Sequence, residues 1–504
     1  MDIPKFLEIN GRKYHDHIAL VDNNRRLTYG EVDKMVNALA HSFLQHDLTF
    51  GDKIILLLPN SIDWAITYLT ILRIGGIAVP INTKLKTDEL LYIIEDSDAK
   101  AVIFDSDFSN AVHPIAEKHP SLIWVATGNI TFPSFSLAEW IKLGSTRDVD
   151  LPLQSEDDAS IIYTSGTTGK PKGVLFTHQN ILSAATMMAM ETSMKPESKI
   201  LHMMPLSHSA PLHLMFVAGL IVGGTHIFST QFTPQDLLSL VSNEKITHFF
   251  GAPVAYLITA KHPELKKYDL SSVQYWVYGG APLSKEDVIF IQKQFQTDRL
   301  MGVYGLTEAG PNGTYLAPHE HPKKAGSIGR RAALFCEITL LDDHGNPVKD
   351  GEIGEIALRG ESLMKGYYKN LEATMMTYKK GWLLTGDLAM RDDDGFYWII
   401  DRKKDVIITG GVNVYPKEVE DILKSHPMVL DVSVIGIPHP DWGETVKAFV
   451  VLNAHIEDPS DILHSFVSER LAEYKCPRLY EFVKDLPRNA NGKVLKHQLR
   501  QLSV

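Results

Sequence analysis

The stretch Tyr163-Thr164-Ser165-Gly166-Thr167-Thr168-Gly169-Lys170-Pro171-Lys172-Gly173 sets a serine and three threonines among three glycines and two lysines. Glycines permit tight turns and let backbone N–H groups close on an anion. The hydroxyls donate hydrogen bonds and the lysines add charge. This is the composition of a polyphosphate cradle. It is not a Walker A loop, because Pro171 follows Lys170 and the G-x-x-x-x-G-K-[ST] spacing fails. The plainer alternative is a turn-forming surface loop, since Gly, Ser and Thr also favour turns.

A cradle of this kind needs rigid flanks, and the pattern around it supplies them. Thr28-Tyr29-Gly30-Glu31 has capping-box spacing and precedes the apolar-periodic run Val32 to Leu44. Ile54 to Leu58 reads as a buried strand, Trp64 to Ile74 as a helix stopped by Gly75-Gly76, and Ala101–Phe104 and Leu122–Ala126 as further strands. Helices alternating with short buried strands predict α/β layers with mostly parallel sheets. The charged run Asp401-Arg402-Lys403-Lys404-Asp405 is the clearest candidate boundary, with a compact α+β piece after it, and by pattern alone it reads equally as a solvated turn.

Composition excludes several classes. The chain has 504 residues, 44% hydrophobic and 22% charged, which fits a soluble globular protein of two to four domains. A net charge of −11 lacks the footprint of a nucleic-acid binder. Cys336 and Cys476 are too few for a disulfide framework, and they suit a reducing cytoplasm. The longest apolar run, Leu214 to Gly224, is far short of the roughly 20 residues of a membrane span. The first residues carry no basic segment leading into an apolar one. A cytoplasmic protein is expected, with peripheral membrane contact and oligomeric state left open.

Tyr163–Gly173 resembles the phosphate-binding loop of the adenylate-forming superfamily: acyl-CoA synthetases, adenylation domains of nonribosomal peptide synthetases, and firefly luciferase. Further matches follow in the family's order. They are Tyr278-Gly279-Gly280-Ala281-Pro282-Leu283, Tyr304-Gly305-Leu306-Thr307-Glu308, Gly354-Glu355-Ile356 with Arg359-Gly360 and Gly366-Tyr367-Tyr368, and Thr385-Gly386-Asp387-Leu388. Asp401–Asp405, Gly410–Pro416 and Pro487–Lys493 complete the series. The resemblance covers essentially the whole chain and is closest to bacterial fatty-acyl-CoA synthetases.

The resemblance implies a large N-terminal domain, 1–401, of α/β layers, and a small mobile α+β domain, 402–504. It places a hinge at 402–405, with Lys404 as its pivot, and a catalytic-lysine loop at 487–496. ATP would be held by Thr164, Ser165, Gly166, Thr167, Thr168, Gly169, Lys172, Gly280, Ala281, Pro282, Tyr304, Gly305, Thr307, Asp387, Arg402 and Lys493. Thr307 would bond the α-phosphate, Asp387 and Arg402 the ribose, and Glu308 would hold Mg²⁺. His208, Gly251, Ala252, Gly279, Gly302 and Gly310 would line the acyl pocket, and Gly410 and Gly411 the path of CoA. The implied chemistry has two steps. A carboxylate attacks the α-phosphorus of ATP, pyrophosphate leaves, and Lys493 stabilises the charge that grows there. A thiol then attacks the acyl-adenylate and AMP leaves, after the small domain has turned about its hinge to present the Gly410-Gly411 face.

The acid is narrowed by absences. No Asp or Glu occurs from Leu201 to Gln235, so nothing there would pair an amino acid's ammonium. No Arg occurs between Val174 and Asp298, which disfavours a small dicarboxylate. Pro205-Leu206-Ser207-His208-Ser209-Ala210-Pro211 matches the pocket-entrance motif, except that Pro211 stands where the family has glycine. Met187, Met188, Met190, Met203, Met204 and Met215 crowd this half of the chain, and Met suits a pocket for varied apolar chains. The expectation is a medium- or long-chain fatty acid. The alternatives are an aryl or other small acid, or an acyl-AMP ligase that loads a carrier protein. An inactive paralogue is disfavoured, because Glu308, Asp387, Arg402 and Lys493 are all present.

Overall fold

The alternation read from the sequence is realised as two eight-stranded mixed sheets with helices between and outside them. The computed structural model describes residues 1–128, 132, 134–164, 170–454, 459–488 and 494–502. By internal contacts the chain forms two compact units. The first is Met1–Ile338 with Leu358–Leu383, and the second is Thr339–Ala357 with Leu384–Val504.

In the first unit one sheet runs Thr314–Leu316, Leu300–Tyr304, Tyr275–Gly279, His248–Gly251, Lys199–His202, Thr225–Phe228, Ile18–Val21, Arg26–Thr28. Its six central strands are parallel and only the two edges are antiparallel. The other sheet runs Gly366–Tyr367, Lys172–Thr177, Asp158–Thr164, Ile77–Pro80, Lys53–Leu57, Ala99–Asp105, Ile123–Thr127, Phe135–Ser136. It is parallel from Asp158–Thr164 onward, with two antiparallel strands at the other end.

The period of two along each strand decides which core a side chain joins. In Lys53–Leu57, Ile54 and Leu56 enter the helical layer between the sheets, while Ile55 and Leu57 face the outer helices. The helix Tyr29–Gln45 starts at the predicted capping box, with Thr28 and Glu31 each satisfying the other's backbone N–H. It buries Val32, Val36, Leu39, Ala40 and Phe43 in the same layer. The neighbouring helix Ile62–Arg73 is buried nearly throughout, and its terminal Arg73 is neutralised by Asp33 at 2.8 Å. Gly75, at φ +70°, ends that segment as expected.

The second unit centres on a sheet ordered Val412–Val414, Ile407–Thr409, Gly443–Leu452, Val429–His439, with Leu479–Phe482 parallel to Gly443–Leu452. The helices Pro416–Lys424 and Pro459–Ser468 cover one face through Val419, Leu423, Leu463 and Val467. Phe449, Leu486 and Leu499 pack on the other. The α/β class with a smaller second domain therefore stands. Both cysteines are free thiols. Among the described residues no helix is long and apolar enough to cross a membrane.

Candidate active site

In a parallel sheet all carboxyl ends lie on one edge, and ligands gather there. Four neighbouring strands of the first sheet each lead into a predicted segment at that edge. Lys199–His202 leads to His208, His248–Gly251 to Ala252, Tyr275–Gly279 to Gly280-Ala281-Pro282, and Leu300–Tyr304 to Gly305, Thr307 and Glu308. Gly280, Ala281 and Pro282 are exposed, whereas Gly305, Thr307 and Glu308 are half-buried. Ser209 Oγ lies 3.3 Å from Thr307 Oγ1, which ties the His208 segment to the Thr307 turn. His208 is half-buried, with Nε2 3.4 Å from the Asn82 amide.

Glu308 has a support that sequence reasoning missed. Tyr367 Oη donates to Glu308 Oε1 at 2.8 Å. Burial first, and the Glu308 charge second, push the Tyr367 hydroxyl well above the usual phenol range, so it stays a donor. Lys172 Nζ lies 4.7 Å from the centre of the Tyr367 ring. Tyr367 reaches this place because Gly366–Tyr367 pairs antiparallel with Lys172–Thr177, Tyr367 opposite Val174. The only hint in the sequence is the Gly366-Tyr367-Tyr368 motif, which by itself states no partner for Tyr367.

The cradle's base is a strand pair, with Thr164 opposite Lys172 and Tyr163 opposite Gly173. Ser165, Gly166, Thr167, Thr168 and Gly169 lie outside the described residues. Glu308 fits a hard cation, because it is a half-buried carboxylate oriented by a phenol. Among the described residues no cluster of three or more His, Cys, Asp or Glu forms a protein cage.

The glycines assigned to the acyl pocket divide into two kinds. A Cβ on Gly251 would meet the Phe249 ring at 2.9 Å, and one on Gly302 would meet Tyr278 Oη at 2.8 Å. Both directions point into the apolar core behind the sheet. As pocket residues, these two would act through backbone alone. A Cβ on Gly279 would meet Val303 O at 3.0 Å, and Ala252 is half-buried. Gly310 closes the Thr307 turn at φ +77°, and a Cβ there would lie 2.0 Å from Ser362 O. Gly310→Ala is therefore expected to destabilise the first unit by about 3 kcal/mol or more, combining left-handed strain with a backbone clash. Denaturant titration would read this, and an unchanged midpoint would refute the clash.

The methionines do not form one group. Met187, Met188 and Met215 join the core between the sheets, and Met203 joins the core behind the first sheet. Met190 is 62% exposed, so it belongs to neither. The chain after Ser209 forms an eight-residue π-helix, Ala210–Val217, buried from Pro211 onward. π-Helices are rare and concentrate at functional sites.

In the second unit Asp387 and Arg402 stand opposite each other on antiparallel strands, with Arg402 Nε 2.7 Å from Asp387 Oδ1. The two expected ribose contacts are thus one ion pair. Lys404 is exposed in the one-turn 3₁₀ segment Lys403–Asp405, and partial desolvation first, then the nearby charges of Arg402 and Arg500, lower its pKa. Gly410 and Gly411, at φ +56° and +81°, form the two-residue hairpin between Ile407–Thr409 and Val412–Val414. A Cβ on Gly411 would meet nothing within 4 Å. Here glycine answers the turn's backbone, as a type I′ hairpin requires, rather than a crowded neighbour. Gly410 N–H donates to Trp442 O at 2.9 Å. The Trp442 ring is stacked by His439 on a 4.2 Å centroid spacing and by the Arg478 guanidinium at 3.5 Å.

The basic residues near the end of the chain are mostly engaged. Lys475 pairs with Glu418, Lys496 with Glu420, Arg488 with Asp431, and Arg500 with Asp405. Arg488 and Val494 bridge the base of the next predicted loop. Lys493 itself lies outside the described residues.

Comparison with known proteins gives two family models. That of AMP-binding enzymes matches residues 7–368, and that of the AMP-binding enzyme C-terminal domain matches 418–493. A feruloyl-CoA synthase of Amycolatopsis sp is 35% identical over 94% of this chain and 94% of that protein. The long-chain-fatty-acid–CoA ligase FadD13 of Mycobacterium tuberculosis is 34% identical over 94% of this chain and 93% of that protein. Among solved structures, the anthranilate CoA ligase AuaEII in complex with anthranoyl-AMP superimposes with a TM-score of 0.90 at 28% identity. That match covers 100% of this chain and 97% of that one.

Proposed function

From the premise that the chain belongs to the AMP-binding enzyme family and is an AMP-forming acid–CoA ligase, we propose how its residues divide the work and which acid it takes. ATP lies at the carboxyl edge of the first sheet, with its adenine against Gly280-Ala281-Pro282 and its α-phosphate at Thr307. The observation that carries this reading is that four adjacent parallel strands lead into the four assigned segments at one edge. Mg²⁺, when bound, neutralises phosphate charge. Glu308 would hold that cation, with Tyr367 fixing the carboxylate's orientation and Lys172 adding a positive charge behind the ring.

The acid's carboxylate sits beside Thr307, and its body passes Gly310 and the π-helix Ala210–Val217. Asp387 and Arg402 hold the ribose, and Lys493 meets the transferring group. CoA approaches the Gly410-Gly411 turn, which Trp442 backs. The hinge at 402–405 and the cytoplasmic location remain part of the proposal.

For the acid, two readings compete. The relative named a long-chain-fatty-acid–CoA ligase supports a fatty acid. The relatives named for ferulate and anthranilate support an aryl acid. The scatter of the methionines removes the main sequence argument for the first. Pyrophosphate release from ATP·Mg²⁺ across fatty, aryl, dicarboxylic and amino acids, with and without CoA, decides between them. CoA-dependent turnover on fatty or aryl acids is the expected result. Adenylation indifferent to CoA would favour a carrier-loading ligase, and silence on every acid would refute the proposed activity.

A further inference from the structure

The walls of the proposed acyl site carry buried polar groups that the protein itself does not satisfy. His213, in the π-helix, is 0% exposed, and neither ring nitrogen has a hydrogen-bond partner among the described residues. The Phe176 ring meets its edge-on at 4.9 Å. The Gly310 backbone lies near enough to bias the ring's titration but falls short of hydrogen-bond geometry. Asn312, two residues beyond Gly310, is also 0% exposed, and both its amide atoms are unpartnered. Ser207 Oγ, before the π-helix, is a third such group. The two segments are joined where Ser209 meets Thr307.

Buried polar atoms are nearly always paired, and each exception needs an explanation. A lone exception can be a local packing fault. Here His213 and Asn312 come from different elements, His213 close to the Gly310 backbone and Asn312 two residues after Gly310 in the chain. We propose that His213 and Asn312 form a recognition site for a neutral oxygen substituent, a hydroxyl or carbonyl, carried by the acid away from its carboxylate. The inference rests on the placement of the acid beside Thr307 and Gly310 given above.

The chemistry favours a neutral group. Burial holds His213 neutral, with its pKa lowered to about 3, so it offers one donor and one acceptor. Asn312 offers the same pair. A hydroxyl can use both, and a carbonyl can use the donors. A second carboxylate or an ammonium would be buried with no counter-charge from either residue, at high cost.

The test compares matched acids that differ by one oxygen: cinnamate with 4-hydroxycinnamate, and dodecanoate with 12-hydroxydodecanoate. The readout is kcat/KM for CoA-dependent pyrophosphate release. In at least one pair the oxygenated acid is expected to be preferred by about tenfold or more, because leaving a site's polar groups unpaired penalises the plain analogue. His213→Leu and Asn312→Leu should each lower the ratio of kcat/KM for the oxygenated acid over the plain one to about one, whatever their effect on the plain acid. Thermal unfolding without acid should not be lowered in at least one of the two variants. Preference for the plain acid in both pairs would overturn the inference and leave the proposed function standing. Equal losses on both members in both variants would overturn it too. No turnover with any of the four acids or with the wider panel would overturn the proposed function, and this inference with it.

Discussion

Lys493→Ala is expected to slow acyl-adenylate formation by about 10²–10³-fold, the range seen when one donor to a developing negative charge is removed. In the first step charge grows on the α-phosphoryl oxygens as the carboxylate attacks. An ammonium placed there stabilises the transition state more than the bound ground state. In the second step the anhydride already exists and a thiol displaces AMP, so the role proposed for Lys493 is not called on. Thioester formation from supplied acyl-adenylate and CoA should therefore stay within a few-fold of the parent. The base of the loop is held by the Arg488–Val494 bridge and by Leu495 N–H on Pro487 O at 2.8 Å, so the substitution spares the scaffold. Equal loss of both half-reactions in a folded protein would remove Lys493 from the proposed role.

Glu308→Gln should be nearly as damaging, with a different signature. The amide keeps the shape and can still accept from Tyr367 Oη, which now lies 2.8 Å from the carboxylate. Only the charge is lost. A drop of about 10²-fold in adenylate formation is expected, together with a raised Mg²⁺ requirement, because a hard cation prefers a carboxylate to an amide. Tyr367→Phe keeps the charge and loses its orientation, so a drop of roughly tenfold is expected, the worth of one charge-assisted hydrogen bond. Titrating Mg²⁺ against the rate of pyrophosphate release separates the two. If Glu308→Gln left the Mg²⁺ dependence unchanged, Glu308 would not be the metal ligand.

What the sequence made legible is what local pattern encodes. The capping box at Thr28 and Glu31, the stop at Gly75, and the buried strands at Ile54, Ala101 and Ile123 each depend on a few neighbouring residues. All of them are present. The motif residues Thr307, Glu308, Asp387 and Arg402 were visible because each stands in a short recognisable string. Contacts between distant strings were not. Tyr367 meets Glu308 only because a two-residue strand pairs at a sheet edge, and nothing in either motif states that register. The π-helix is equally hidden, since Leu212 to Val217 is apolar all round apart from His213 and has no period to read. The methionines fall into different cores, because composition counts residues without saying which face of which sheet they join. The pairing of basic residues near the end of the chain is hidden for the same reason, since the acids that neutralise four of them lie far away in sequence.

The late arrival of Gly366–Tyr367 has a consequence for biosynthesis. Its partner strand, Lys172–Thr177, leaves the ribosome almost two hundred residues earlier. At about 5–20 residues per second, the open side of that strand waits roughly 10–40 s for its neighbour. Val174 and Phe176 are fully buried in the finished protein, and a bare apolar strand edge is a template for pairing with other chains. The nascent chain is thus most vulnerable to aggregation between the emergence of Thr177 and that of Tyr367. Holdase chaperones should bind stalled chains of that length more than full-length protein. The same delay means that Glu308 gains its phenol only when the first unit is almost fully translated, so no shorter nascent chain can hold the carboxylate in its working orientation.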